Sequence, residues 1–201
     1  MLIKSVIFKE DFRCYKKGEK ISFNDKLTVI SGDNGSGKST LVSAIRCLYK
    51  VKWSMSHDQR AEGKIDIKAS NFTDGKLAYL DLSQDLYKTS SEINFDDFET
   101  YREAISSSSG EGSFLQILKL IQKNAKDSDL LILDEPERGL SIKIQKKLFD
   151  VINHINKSYP DLQIIIITHS ELLMSLRTEL FSTSHKSYIS NSEYLSWMLE
   201  S

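Results

Sequence analysis

Residues 31–41 read S-G-D-N-G-S-G-K-S-T-L. The segment contains G-x-x-x-x-G-K-[ST], a pattern typical of a P-loop that surrounds phosphate groups with backbone N–H donors. An apolar run, L-T-V-I at 27–30, precedes it, and residues 40–48 follow with a helical pattern. This order of strand, glycine-rich loop and helix is the context that the motif requires. The segment therefore predicts a nucleoside triphosphate site at a helix N-terminus.

Each residue type in this loop has an expected task. Glycine permits the tight turns, and we expect a side chain at Gly32, Gly35 or Gly37 to block the approach of a polyanion. Lys38 supplies a positive charge to the β- and γ-phosphates, and the Ser39 hydroxyl can bind Mg²⁺. The predicted nucleotide-binding set in the loop is Gly32, Asp33, Asn34, Gly35, Ser36, Gly37, Lys38, Ser39 and Thr40.

Composition limits the classes of protein that fit. The chain has 201 residues and a formal net charge of −1, which predicts a single domain and gives no electrostatic argument for nucleic acid. No apolar run approaches the roughly 18 residues of a membrane span, and the N-terminus does not resemble a signal peptide. Cys14 and Cys47 lack the spacing of a metal site and predict reduced thiols in the cytoplasm.

Apolar segments alternate with helical patterns, which predicts an α/β fold with a mostly parallel sheet. Strands are predicted at 2–8, 21–23, 27–30, 77–82, 130–133 and 164–167, with an edge strand at 65–67 and a short strand at 188–189. Helices are predicted from the serine run at 106–109 through the apolar positions 114, 117, 118 and 121, and at 141–156, 172–180 and 194–199.

Four of these strands are followed by polar residues suited to a phosphate site: Gly32, Gln84, Asp134 with Glu135, and His169. Ligands of open α/β sheets bind at the carboxyl ends of the strands. We expect Asp134, with Ser39 and Gln84, to hold Mg²⁺.

Two further residues have expected catalytic roles. Glu135 would accept a proton from the attacking water. His169, 34 positions later, would hold the γ-phosphate and that water in register. The sequence thus predicts a site that binds and hydrolyses ATP with Mg²⁺.

The motifs G-D-N-G-S-G-K-S-T, S-S-S-G-E, L-L-I-L-D-E-P and I-I-I-I-T-H-S, in this order, resemble those of ATP-binding cassette (ABC) ATPases. The N-terminal segment D-F-R-C-Y…I-S-F is more narrowly similar to heads of the SMC and RecF branch. The D-E-P-E segment is similar to ATPases of the overcoming-lysogenization-defect type. The resemblance covers residues 1–175.

The resemblance implies an ABC-type ATPase head over residues 1–201, with an N-terminal antiparallel β part and a small helical subdomain at about 85–125. By position, Ser108, Gly110 and Glu111 match the signature motif, which in the family docks on the nucleotide of the opposite subunit. Arg13 matches the arginine of the family's F-R loop near the phosphates. These matches imply a homodimer, head to tail, around two ATP.

Three functions remain open from the sequence. The first is a stand-alone cytoplasmic ATPase that drives a separate partner, such as a nuclease, a DNA-processing factor or a defence effector. The second is the ATP-binding subunit of a membrane transporter, and the third is an ATP-gated switch with little turnover. Nucleic acid binding does not follow from the sequence, because the lysine clusters are typical of solvated faces.

Overall fold

In the computed structural model of the chain, the structure describes residues 2–23, 25–48, 64–70, 76–81 and 109–200. The strands of these ranges are β1 (Leu2–Phe8), β2 (Lys20–Ser22), β3 (Leu27–Ser31), β4 (Ile65–Ser70), β5 (Leu77–Asp81), β6 (Leu130–Asp134), β7 (Gln163–Ile167), β8 (Glu179–Ser182) and β9 (Ser187–Ser190). The helices are α1 (Lys38–Leu48), α2 (Ser109–Asp127), α3 (Ile142–Ser158), α4 (Glu171–Met174) and α5 (Asn191–Glu200).

Six strands form the main sheet in the order β5-β6-β7-β3-β8-β9. The first five are parallel, and β9 runs antiparallel beside β8. The parallel strands end at one edge, so the residues that follow β3, β6 and β7 meet there. The predicted α/β fold with a mostly parallel sheet is confirmed.

A second, antiparallel sheet has the order β2-β1-β4. It is the predicted N-terminal β part, with β4 at an edge as expected. The side chain of Gln163 in β7 joins this sheet to the main sheet, because its amide accepts a hydrogen bond from Ile3 N at 2.7 Å and donates one to Ile3 O at 3.1 Å.

Apolar side chains cover both faces of the main sheet, which explains the continuous apolar runs of its strands. On one face, Leu131 and Ile166 pack in the same core as α2 and α3. On the other, Ile132 and Ile165 pack with α1 and the antiparallel sheet. The site is therefore built on a rigid three-layer support.

One predicted element differs from the structure. The helix expected at 172–180 is limited to the single turn α4, and Glu179–Ser182 form β8 instead. Strand pairing decides this difference, because Leu180, the last residue of the predicted helix, lies opposite Ile189 of β9, and the two residues after it pair with β3. Long-range pairing outweighs the local helical pattern here.

The helix predicted from the serine run begins at Ser109. Its apolar face, which includes Ile117 and Ile121, packs in one core with Leu148 of α3. Residues 82–108, which include most of the predicted small subdomain, lie outside the described ranges. None of the helices in those ranges combines the length and apolar character needed to cross a bilayer.

Candidate functional site

The P-loop connects the end of β3 to the start of α1, as predicted. Gly32, Gly35 and Gly37 have φ angles of 150°, 81° and 116°, a region that strongly favours glycine. A Cβ atom on Gly32 would lie 2.2 Å from Thr183 Oγ1, and one on Gly37 would lie 2.5 Å from Cys14 Sγ.

These distances show that glycine is required at Gly32 and Gly37 for a different reason from the expected one. At Gly32 and Gly37 a side chain would collide with the protein packed behind the loop, rather than with a phosphate in front of it. At Gly35 no atom lies within 4 Å of the added Cβ, so its positive φ is the constraint. The conformation is one in which backbone N–H groups can surround an anion.

Lys38 is the buried cation of the loop, with 8% of its surface exposed. Its Nζ donates to the carbonyl oxygens of Gly32 at 2.7 Å and Asp33 at 2.9 Å. Burial lowers the pKa of Lys38, while Glu135, Asp33 and Asp134 act in the opposite direction. The ammonium group is thus held at the mouth of the loop by weak acceptors that a phosphate can replace.

Asp134 lies at the end of β6, directly beside Asp81 of β5 in the register of the sheet. Its Oδ2 accepts a hydrogen bond from the Tyr79 hydroxyl at 2.8 Å. Burial raises its pKa to about 6, and the nearby charges of Asp81 and Glu135 act in the same direction.

The Tyr79 hydrogen bond and the Lys38 charge lower the pKa of Asp134 but only partly offset these effects, so this carboxylate suits a divalent cation. Within the described ranges no three His, Cys, Asp or Glu side chains form a metal cluster. Asp134 and Ser39 are the described residues that would hold a Mg²⁺ ion. Ser39 is exposed at the start of α1, and Gln84, the third predicted ligand, lies outside the described residues.

Glu135 follows the end of β6 with a φ of 48°, so the chain turns and its side chain need not oppose that of Asp134. The backbone is held there by a hydrogen bond from Glu135 N to Ile167 O at 2.9 Å. The Glu135 carboxylate is 3.7 Å from His169 Nε2 and 3.6 Å from Arg138 NH1. A strained backbone held by its surroundings is common at functional sites.

The structure also identifies a residue that the sequence analysis did not select. One carboxylate oxygen of Glu137 accepts hydrogen bonds from His169 N at 2.7 Å and Ser170 N at 3.2 Å. Its other oxygen is buried without a hydrogen-bond partner in the described part of the chain. Glu137 thus connects the loop after β6 to the loop that carries His169.

Arg13 has a φ of 56°, and its NH1 lies 3.4 Å from Thr40 Oγ1 in α1, so the F-R segment is close to the P-loop. In the signature segment, Gly110 and Glu111 lie in the first turn of α2. Ser108 lies outside the described residues.

The structure brings five predicted site residues to one edge of the sheet. The charges of Asp134 and Glu135 both raise the pKa of the Lys38 ammonium. His169 lies beside Glu135, and Ser39 follows Lys38 in α1. This arrangement combines a phosphate cradle, a half-buried carboxylate for a metal, and a carboxylate–imidazole pair for moving a proton.

Comparisons with known proteins agree with this geometry. A zinc import ATP-binding protein ZnuC from Rickettsia bellii is 27% identical over 180 residues, which cover 77% of this chain and 72% of that protein. Its counterpart in Vibrio vulnificus is 26% identical, and the chain spans only 64% of that protein's length.

Two solved structures share the fold at low identity. The SMC head domain from Thermotoga maritima superposes with a TM-score of 0.57 at 17% identity, covering 90% of this chain and 94% of that one. The ATP-binding cassette MJ0796, a dimer bound to ADP and Pi, gives 0.58 at 13% identity, covering 94% and 97%. The ABC-type ATPase fold is confirmed, and the narrower SMC, RecF or overcoming-lysogenization-defect branch stays a prediction.

A family model described as an AAA domain matches residues 9–195. That match includes the P-loop, the loops that follow β6 and β7, and most of the C-terminal region. The chain therefore belongs to the AAA domain family and is an ATP hydrolase with the ABC-type fold.

Proposed function

We propose that the chain binds MgATP at the P-loop and hydrolyses it with Glu135 and His169. The observation that carries this proposal is the position of Glu135. Its carboxylate lies 3.7 Å from His169 Nε2, and its charge raises the pKa of the Lys38 ammonium. A base, a phosphate ligand and a hydrogen-bonding imidazole then surround the place where a γ-phosphate would bind.

Each residue of the site would have a separate task. The loop N–H groups bind the phosphates, and Lys38 exchanges the carbonyl oxygens of Gly32 and Asp33 for phosphate oxygens. Asp134 and Ser39 would hold Mg²⁺, which neutralises charge on the phosphates when bound. Glu135 accepts a proton from water, and the distance of 3.7 Å to His169 leaves room for a bridging water or phosphate oxygen.

The second half of each site would come from a second copy of the chain. α2 begins at Ser109, so Gly110 and Glu111 lie in the first turn of a long helix, where N–H groups are free to bind an anion. Ser108 directly precedes this helix in the sequence and would add its hydroxyl. A head-to-tail homodimer would place this helix on the γ-phosphate of the partner, with two equivalent sites. The bound ADP and Pi of the dimeric cassette MJ0796 support this arrangement.

The partner that uses the ATP energy is proposed from the relatives. The ZnuC proteins are described as zinc import ATP-binding proteins, which favours a cytoplasmic ATP-binding subunit attached to a membrane transporter. A stand-alone ATPase remains the second candidate, and it is favoured by Arg13, whose contact with Thr40 places the F-R segment at the P-loop.

One set of experiments tests the ATP site and the partner. Wild type and Lys38→Ala are compared for Mg²⁺-dependent phosphate release and for binding of a fluorescent ATP analogue. We expect Lys38→Ala to lose most of both, because the phosphates lose their main positive charge. Equal binding and turnover in the two proteins would refute the site.

The partner is tested by expressing the tagged chain in its native host and separating membranes. Recovery with membrane proteins, released by detergent together with an integral membrane protein, supports the transporter subunit. Recovery in the soluble fraction with a soluble protein supports the second candidate.

A further inference from the structure

The turn between β8 and β9, residues 183–186, packs against the outer side of the P-loop. Thr183 N donates to Ser31 O at 2.8 Å, and the Thr183 hydroxyl contacts the hydroxyl of Ser36. Asp33 N donates to Ser184 Oγ at 3.0 Å. Both ends of the phosphate loop are thus held by a segment about 150 residues away in sequence.

Lys186, in this turn, contacts the P-loop residue Ser36, two positions before Lys38. Its Nζ donates to Ser36 O at 3.0 Å and lies 3.6 Å from the centre of the Tyr15 ring. The Tyr15 hydroxyl donates to Gly37 O at 3.2 Å. Lys186 and Tyr15 therefore contribute to holding the two carbonyl groups that directly precede Lys38, together with Cys14 Sγ, which donates to Ser36 O at 3.4 Å, and Leu41 N, which donates to Gly37 O at 2.9 Å.

These contacts have a consequence for the inner side of the loop. Because hydrogen bonds fix the carbonyl groups of Ser36 and Gly37, the planar peptide bond also fixes the N–H groups of the same two peptides. Those N–H groups belong to Gly37 and Lys38, which the P-loop presents to phosphate. An ammonium group on the outer side also adds positive potential near the loop.

The backbone of Lys186 gives an independent argument. Its φ is 56°, a left-handed conformation that glycine or asparagine adopts at lower cost than lysine. A lysine at such a position is not explained by the turn itself. The contacts of its ammonium group with Ser36 and Tyr15 explain it.

We infer that Lys186 is a positioning residue that holds the P-loop in its phosphate-binding conformation and thereby sets the affinity for ATP. It touches no reacting atom, so it should change binding and leave the rate at saturating ATP nearly unchanged. The inference rests on the nucleotide site proposed above.

The test compares Lys186→Asn, Lys186→Arg and wild type. Asparagine accepts the left-handed backbone but removes the ammonium, and arginine keeps a positive donor. Lys157→Asn, the same change on the exposed surface of α3, is the control for loss of charge. Each protein is titrated with mant-ATP and Mg²⁺, its KM and kcat are measured, and its melting temperature is recorded with and without ATP.

We expect Lys186→Asn to raise the Kd for mant-ATP and the KM about threefold to tenfold, the range for losing a charged hydrogen bond and a cation–π contact. The kcat should stay within about twofold, and the stabilisation by ATP should decrease in proportion. Lys186→Arg should restore most of the affinity, and Lys157→Asn should bind as wild type does.

An unchanged Kd in Lys186→Asn would overturn the inference. So would an equal loss of affinity in Lys157→Asn, or a loss of kcat together with a lower melting temperature without ATP. If wild type itself fails to bind mant-ATP, the proposed nucleotide site is refuted, a result distinct from a wild type that binds and a Lys186→Asn variant that binds equally well.

Discussion

Replacing Asp134 by asparagine should stabilise the protein in the absence of metal and nucleotide while abolishing its activity. Asp134 is half-buried beside Asp81 and Glu135, and this environment raises its pKa from the ordinary 3.8 to about 6. At ~1.4 kcal/mol per pKa unit, the ionised carboxylate costs about 3 kcal/mol of folding free energy at neutral pH. Asparagine has no charge to bury and can still accept the hydrogen bond from Tyr79.

The sign of the pH dependence follows from the raised pKa. Between about pH 4 and pH 6 the folded protein binds more protons at Asp134 than the unfolded chain, so stability decreases as pH rises through this window. Above pH 6 the whole cost is present, and below about pH 4 it is absent. Asp134→Asn should therefore gain roughly 1–3 kcal/mol over wild type at pH 7.5 and almost nothing at pH 4.

Urea unfolding of the apoprotein with EDTA at several pH values measures this difference. For a chain of this size the gain corresponds to a melting temperature about 3–10 °C higher at pH 7.5. Asp161→Asn, on an exposed turn, is the matched control and should have almost no effect. If Asp134→Asn is no more stable than wild type at pH 7.5, or is equally stabilised at pH 4, the reasoning is wrong.

Three further substitutions test the catalytic and dimer assignments. Glu135→Gln should still bind MgATP but hydrolyse it on the order of 10²-fold more slowly, and light scattering should show an ATP-bound dimer; turnover within a fewfold of wild type would exclude Glu135 as the base. Ser108→Arg should bind ATP without hydrolysing it, because a bulky cation blocks docking of the partner, and undiminished phosphate release would refute the composite site. Glu137→Ala should lower kcat about tenfold with little change in the Kd for ATP, because the loop of His169 loses its two hydrogen bonds, and rescue by Glu137→Gln would show that acceptance of these bonds is its role.

The fold could be predicted from the sequence where the local residue pattern and the burial of the segment agree. The strands β3, β6 and β7 are mostly apolar because both faces of the sheet are covered, and their order along the chain follows from the P-loop context. The predicted helix at 172–180 overlaps the first two residues of β8, a strand that pairs with β9 through Leu180 and with β3 through Phe181. A segment whose partner lies 150 residues away cannot be assigned from its own neighbours.

The candidate site likewise contains residues that the sequence predicts and residues that it does not. Lys38, Asp134, Glu135 and His169 could be predicted because each follows a strand whose end the sequence locates. Tyr79 could not, since its contact with Asp134 joins residues 55 positions apart and no motif contains it. The contacts of Glu137 and Lys186 could not be predicted either, because each depends on how two loops meet after folding, although Glu137 belongs to the D-E-P-E segment.

The pair of hydrogen bonds between Gln163 and Ile3 has a mechanical consequence. A single side-chain amide, accepting on one side and donating on the other, fixes one point of the antiparallel sheet against the middle of the main sheet. Two bonds to the same residue resist sliding of β1 along its length, but they allow rotation about the line that joins them. The Tyr188 hydroxyl of β9 donates to Ser22 O of β2 at 2.8 Å and ties the two sheets at a second point. If the antiparallel sheet moves when nucleotide binds, its displacements should be smallest near Ile3 and Ser22 and should increase with distance from them.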